Sequence, residues 1–363
     1  MGDLNDSVFS GTRPVLPQHA FDEGRLADFI RTNVGPFAGN LQVAQFKGGQ
    51  SNPTFLVQAG SERFVLRRKP PGALLPSAHA VEREHRVMSA LAATDVPVPR
   101  TLALCEDPDV IGSTFFLMAH VPGRIFWDPA LPGHTPVERR ALLDELNRVI
   151  AALHRVDPAA VGLSDYGKPG AYLARQVARW TQQYRAAETE RIEAVDRLIE
   201  WLPAHLPPDD APPAIVHGDY RLDNVIFHPT ESRILAVLDW ELSTLGHPLV
   251  DFAYHCMTWR MDGHTGRGLG DLSALELDAL GIPSEAHYVS QYCERTGRTG
   301  IPGATWSYYL IFNLFRLTSI LQGVTRRALQ GNAASAEALT TGQRARPLAE
   351  QAWRMAQDLM RHP

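Results

Sequence analysis

His217-Gly218-Asp219-Tyr220-Arg221-Leu222-Asp223-Asn224, followed further along by Leu238-Asp239-Trp240-Glu241, is the stretch on which the fold turns. Each polar cluster abuts an apolar run of β type: Ala214–Val216 and Val225–Phe227 flank the first, and Ile234–Leu238 leads into the second. A carboxylate at the end of a buried strand is costly to desolvate, so it is paired or metal-bound. Asp219, Asn224 and Asp239 offer only hard oxygen ligands, a donor set that suits Mg2+ far better than zinc or copper. Phosphoryl transfer needs a carboxylate to take the acceptor proton, oxygens to hold magnesium against the phosphates, and cations or amides to cradle them. In that reading Asp219 is the base, and Asn224 and Asp239 hold Mg2+. The turn Gly48-Gly49-Gln50-Ser51-Asn52 lies over a nucleotide, because backbone amides approach a phosphate where no Cβ intervenes. Turn-capping is the ordinary job of isolated Asp and Asn, but it leaves the joint placement of these three unexplained.

Around this stretch, 363 residues suggest two lobes, since single cores stop growing near about 250–300 residues. With 44% hydrophobic and 21% charged residues, wholesale disorder is excluded. Lys+Arg 35 against Asp+Glu 40 leaves a formal charge of −5, so no global basic field draws the chain to nucleic acid or anionic lipid. Cys105, Cys256 and Cys293 lie far apart with no CxxC, which reads as reduced thiols of a cytoplasmic protein. Asp3 and Asp6 stand where a secretory leader carries positive charge. The apolar stretch Trp306–Val324 contains Asn313 and Arg316, which suits a buried helix and not a membrane span.

Residues 1–20 lack periodicity and are expected to form a tail. From Leu41 to Lys69, LQVAQF, PTFLVQ and RFVLRRK alternate with Gly/Ser/Asn punctuation and predict three antiparallel strands. Val81, His85, Met88, Leu91 and Ala92 recur at helical spacing, and TFFLMAHV at 114–121 predicts a further strand. Residues 21–121 are thus read as a small α+β N-lobe. Beyond Pro122-Gly123 helices prevail, and Thr135-Pro136-Val137-Glu138 supplies an N-cap, a first-turn proline and a capping-box glutamate. Further helices are expected over 171–201, 284–296, 305–329 and 335–361, so residues 122–363 are read as a mostly α C-lobe.

HGDYRLDN, followed after a short hairpin by LDWE, resembles the aminoglycoside phosphotransferase family, relatives of the protein kinases, over roughly residues 22–330. VLRRKPPG at 65–72, AHAVEREHRVMSAL at 78–91 and FRLTSILQGV at 315–324 are more similar to the kinase-like domains fused to acyl-CoA dehydrogenases than to the antibiotic-resistance enzymes. The resemblance implies an α+β, two-lobed protein-kinase-like fold, with a nucleotide-binding, mainly antiparallel β N-lobe carrying one helix and a larger, mainly α-helical catalytic and substrate-binding C-lobe. It implies ATP and Mg2+ as cofactors and transfer of the γ-phosphoryl group to a hydroxyl of a small metabolite, with hydroxyacyl-CoA as an acceptor class.

Carried over residue by residue, the resemblance makes Asp219 the base, Asn224 and Asp239 the metal ligands, and Glu84 the helix glutamate that anchors the phosphate-binding cation. Met118, Ala119 and His120 become the adenine-facing hinge. Arg67 stands where the family more often has lysine, and its planar fork changes the phosphate geometry. Lys69 shares that strand face, so either cation could reach the phosphates. For Asp251 the resemblance implies a structural role that fixes the catalytic loop, and His217 is read as bracing the backbone. Tyr308, Phe312 and Arg316 are candidates for an acceptor pocket, with Arg316 toward an anionic group. Two other readings compete. Arg67 in the lysine position motivates a nucleotide-binding, pseudokinase-like regulator. His217, Asp219, Asp239, His247 and Asp251 would be the ligands of a metal-dependent phosphoesterase, a reading that leaves Gly48-Gly49 unexplained.

Overall fold

The computed structural model describes residues 11–47, 52–70, 79–168, 170–208, 211–261, 269, 270, 272–330 and 338–362. Its elements begin with β1 (Thr12–Arg13), α1 (Glu23–Asn33), β2 (Leu41–Phe46), β3 (Thr54–Ala59), β4 (Glu62–Arg68), α2 (Val81–Leu91), β5 (Thr101–Cys105) and β6 (Phe115–Ala119). There follow α3 (Pro136–Arg155), α4 (Tyr172–Ala187), α5 (Glu193–Ala204), β7 (Ala214–Val216), β8 (Val225–Phe227), β9 (Ile234–Val237) and β10 (Thr244–Gly246). The remaining long helices are α6 (Pro248–Cys256), α7 (Glu285–Thr296), α8 (Gly303–Leu329) and α9 (Ala345–Arg361). The chain divides into two compact units, Met1–Ile125 with Asn224–Ser243, and Phe126–Asp223 with Thr244–Pro363.

In the first unit, six strands pair in the order β1-β2-β3-β4-β6-β5, all antiparallel. Strand alternation sorts the two faces. Phe55, Val57 and Ala59 of β3 and Phe64 and Leu66 of β4 point to one side, where they meet Leu26 and Ile30 of α1, Phe115 and Leu117 of β6, and Cys105. Each large side chain buried there contributes about 1.5–3 kcal/mol. Leu66 belongs to that core, so the pleat sends Arg67, with Val65, to the other face. The hairpin β8–β9 belongs to this unit although it lies far along the chain. Arg124 and Phe227 exchange backbone bonds at 2.8 Å, and Val237 N–H donates to the Pro97 carbonyl. The sequence boundary at 121/122 had left that hairpin with the helices, because nothing local marks a strand pair that folds back onto an earlier segment.

The second unit is helical around the short pair β7–β10. Helix α3 starts as its sequence dictates: Thr135 accepts from Glu138 N–H, and Glu138 reaches back to Thr135 N–H. Helix α8 is buried along most of its length, Asn313 and Arg316 included. Among the described residues no helix is long and apolar enough to cross a membrane. All three cysteines are free and buried.

Three expectations are corrected. Part of the supposed tail is ordered, since Thr12–Arg13 pairs with β2 and His19 binds Gln45. The helix expected over 171–201 is two, α4 and α5, with the chain turning at Glu188–Ile192. Arg185 and Arg191 both close on Asp196 at 2.6 and 2.8 Å, pinning that turn. Of the 335–361 helix, residues 345–361 form α9, Ala338–Gly342 form a separate short helix, and 335–337 lie outside the described residues.

Candidate active site

Helix α2 buries Val81, Glu84, Val87, Met88 and Leu91, so Glu84 is a charged residue set within an apolar stripe. It is 1% exposed and needs a partner. Arg67 provides one: its Nε lies 2.9 Å from a Glu84 oxygen, and its Nη2 donates to Asp239 Oδ1 at 2.5 Å, with Glu241 at 3.7 Å. Burial opposes the guanidinium charge, yet Glu84, Asp239 and Glu241 together hold Arg67 above its ordinary value. Burial pushes Glu84 up to about 7 against the downward pull of Arg67. Lys69 takes a different partner, Glu82 at 2.9 Å. Of the two cations, Arg67 is the one joined to both Glu84 and Asp239.

Asn52 is fully buried, donating to Glu84 at 3.0 Å and meeting His79 Nδ1 through its oxygen. Its side chain is thus committed to bracing the glutamate, because an unpartnered buried amide would be costly. Gly48, Gly49, Gln50 and Ser51 lie outside the described residues. Met118 pairs with Val65 within the sheet. The N–H groups of Ala119 and His120 already donate to the carbonyls of Arg100 and Arg63.

Asn224 and Asp239 bracket the open end of the β8–β9 hairpin. Val225 stands opposite Val237, and Leu238 N–H donates to the Asn224 carbonyl at 2.8 Å. Asp239 then turns sharply, with φ 65° and ψ 59°. A left-handed conformation costs a non-glycine residue about 1–2 kcal/mol, so the turn persists because its surroundings enforce it. Its carboxylate side chain is 31% exposed. One carboxylate and one amide oxygen on a rigid hairpin fit Mg2+, which keeps several waters and relies on substrate phosphates. Among the described residues no three or more His, Cys, Asp or Glu side chains gather into a metal cage.

In the second unit, the loop leaving β7 is held from beneath. Asp251 on α6 accepts from His217 N–H and Gly218 N–H, both at 2.8 Å, and meets His154 Nε2 at 3.1 Å. Burial would raise the Asp251 carboxyl, but His154, His217 and the backbone amide hold it below the ordinary carboxylate range. Gly218 has φ 81°, a conformation glycine adopts without strain. His217 Nδ1 accepts from Asp219 N–H at 3.1 Å, so this histidine braces the loop. Asp219 Oδ1 accepts from the Tyr254 hydroxyl at 2.6 Å and lies 3.1 Å from Arg221 Nε. Burial and the Asp219 charge push the Tyr254 phenol well above its ordinary value, which keeps it a donor. Tyr220 anchors the loop to α3 through the Leu146 carbonyl at 3.0 Å.

The sequence singles out Asp219, Asp251 and His217, which the structure brings together, but not Tyr254. Its signal was available: Asp251 and Tyr254 are three apart on α6, so both face the loop. Arg316, expected at an acceptor pocket, donates through its Nη2 to the Gly218 carbonyl. Tyr308, named with it, is core: it is 2% exposed and its hydroxyl donates to the Leu202 carbonyl. Phe312 is likewise buried in α8.

Residues 42–283 match the model of the phosphotransferase enzyme family. Acyl-CoA dehydrogenase family member 10 of Mus musculus is 46% identical over 348 residues, covering 95% of this chain and 32% of that protein. The chain thus spans about a third of that relative's length. A crystal structure from Ralstonia eutropha, described under the aminoglycoside phosphotransferases, superposes with TM-score 0.83 at 54% identity, covering 93% of this chain and 99% of that one. Aminoglycoside phosphotransferase APH(4)-Ia, solved with ADP and hygromycin B, shares the fold at TM-score 0.58 and 15% identity, over 91% of this chain and 98% of that one.

Proposed function

The chain belongs to the phosphotransferase enzyme family, a small-molecule phosphotransferase acting on a hydroxyl group, and we propose that it uses ATP and Mg2+ to phosphorylate a hydroxyl-bearing metabolite linked to acyl-CoA. The observation that supports this best is the double fixation of the Asp219 loop, by Asp251 on its backbone and by Tyr254 on the carboxylate itself. A proton acceptor works only if it is aimed, and preorganised general bases contribute about 10²–10⁴-fold. Asp219 takes the proton of the acceptor hydroxyl. Arg67, held by Glu84, supplies positive charge toward the phosphates. Asn224 and Asp239 hold Mg2+, which when bound neutralises charge on the phosphoryl oxygens.

Arg67 in place of lysine does not favour the regulator reading, because the ion pair with Glu84 is made and Asp219, Asn224 and Asp239 are all present. A cytoplasmic setting accords with three free buried thiols. The acyl-CoA link rests on the longer relatives, whose names carry that chemistry. Incubation with MgATP and a mixture of hydroxyl metabolites that includes hydroxyacyl-CoAs, read by mass spectrometry, tests the proposal. A phosphorylated acceptor is expected. Hydrolysis of ATP with no phosphorylated acceptor contradicts it.

A further inference from the structure

Tyr172, Arg175 and Arg179 recur on α4 at spacings of three and four, so they share one face. Arg316 of α8 joins them. Its guanidinium carbon lies 5.2 Å from the ring centre of Trp180 and 4.8 Å from that of Tyr254, while Arg179 lies 5.6 Å from the same indole. Two guanidinium groups therefore attend one aromatic ring. Unlike Arg67 with its carboxylates, neither Arg179 nor Arg316 makes an ion pair with an acidic side chain among the described residues.

Arg316 is 6% exposed, and its Nε is a buried donor with no hydrogen-bond partner. A buried cation without a counter-charge is costly, and such a cost is retained where an anion arrives from outside. Desolvation and the Arg316 charge hold Arg179 below its ordinary value, as expected for two cations crowded together. Burial raises the Tyr172 phenol to about 12, so its hydroxyl remains a donor through the neutral range. The cluster adjoins the loop already described: Arg316 binds the Gly218 carbonyl and stacks on Tyr254, which donates to Asp219.

We propose that Tyr172, Arg179 and Arg316 form an anion-binding subsite beside Asp219 for a carboxylate or phosphate carried by the acceptor. The subsite rests on the phosphotransferase reading for its purpose, but not for its binding. Guanidinium groups suit both anions through charge-assisted bonds, and Trp180 gives Arg179 and Arg316 an apolar wall.

The test uses the full chain without nucleotide and three probes of equal carbon length: glycerol, glycerate and glycerol 3-phosphate. Calorimetry is expected to show saturable binding of glycerate, glycerol 3-phosphate or both, and none of glycerol. The tighter of the two anions tells whether the site prefers carboxylate or phosphate. Arg179→Gln, at an exposed position that leaves the fold intact, weakens the anion by about tenfold or more. Arg316→Gln, checked for folding by circular dichroism, weakens it further. Absent anion binding, equal binding of glycerol, or affinity unchanged in Arg179→Gln overturns the subsite. If Arg179-dependent binding is found and no acceptor is ever phosphorylated, the transferase reading fails and the subsite stands. Phosphorylation of a metabolite at a rate and KM indifferent to Arg179→Gln sustains the transferase and removes the subsite.

Discussion

In the first unit a buried arginine is neutralised by carboxylates, whereas in the second a buried carboxylate is hydrogen-bonded by two backbone amides and an imidazole. The first arrangement joins side chains from a strand, a helix and the turn after β9, and Asp239 remains partly open to solvent. It can be re-partitioned, since a carboxylate shared with Arg67 can also serve another cation. The second arrangement holds main chain, with Asp251 and His154 each 1% exposed at the side chain. It fixes a loop and offers nothing to exchange. On the proposed reading, positions that exchange ions with a ligand and positions that aim a base thus call for different chemistry.

Removing the centre of the first arrangement has the largest consequence for folding. Arg67→Ala leaves Glu84 buried without its cation and is expected to cost about 3–5 kcal/mol in denaturant titration. Arg67→Lys restores the charge without the fork and recovers only part of that loss. A loss below about 1 kcal/mol for Arg67→Ala would remove the distinction between the two centres, since exposed pairs are worth that little.

The second centre has its own acid sensitivity. His255 on α6 is buried, meets the Tyr288 hydroxyl at 2.8 Å, and burial lowers it to about 4. The native state holds it neutral while the unfolded chain protonates it near pH 6.5. The contribution of His255 to stability is therefore complete above about pH 6.5 and is lost as pH drops toward 4, by about 3 kcal/mol at full effect. His255→Gln should flatten that slope. An unchanged slope would place the acid-sensitive group elsewhere.

Asp251→Asn keeps the shape but sets an amide N–H against donors of the loop, at a cost of about 1–3 kcal/mol and with reduced turnover. Tyr254→Phe is the mildest change, removing one bond to Asp219. It is expected to lower kcat about tenfold with KM for ATP unmoved, because Asp219 loses the hydroxyl that aims it. A wild-type kcat would reduce Tyr254 to packing.

Much of this was legible along the chain. The capping box announced α3, and strand alternation with Gly punctuation announced β2 to β4. The polar clusters at 217–224 and 238–241 announced the loop and hairpin. What was not legible depends on contacts between distant residues. The segment Glu188–Arg191 is made of ordinary helix-compatible residues, yet the chain turns there and two arginines close on Asp196. The bond from Arg67 to Asp239 spans 172 positions, for which no local pattern exists. Arg316, set in an apolar helix, signalled a partner, and only the fold shows that the partner is the Gly218 carbonyl.

The role of Asp219 is tested most directly by single-turnover transfer from MgATP in Asp219→Asn, with nucleotide affinity and folding measured in parallel. Loss of the proton acceptor should slow transfer by about 10²–10⁴-fold while MgATP still binds the folded protein. Transfer at the wild-type rate in that variant would contradict the assignment of the base and, with it, the purpose given to Asp251 and Tyr254.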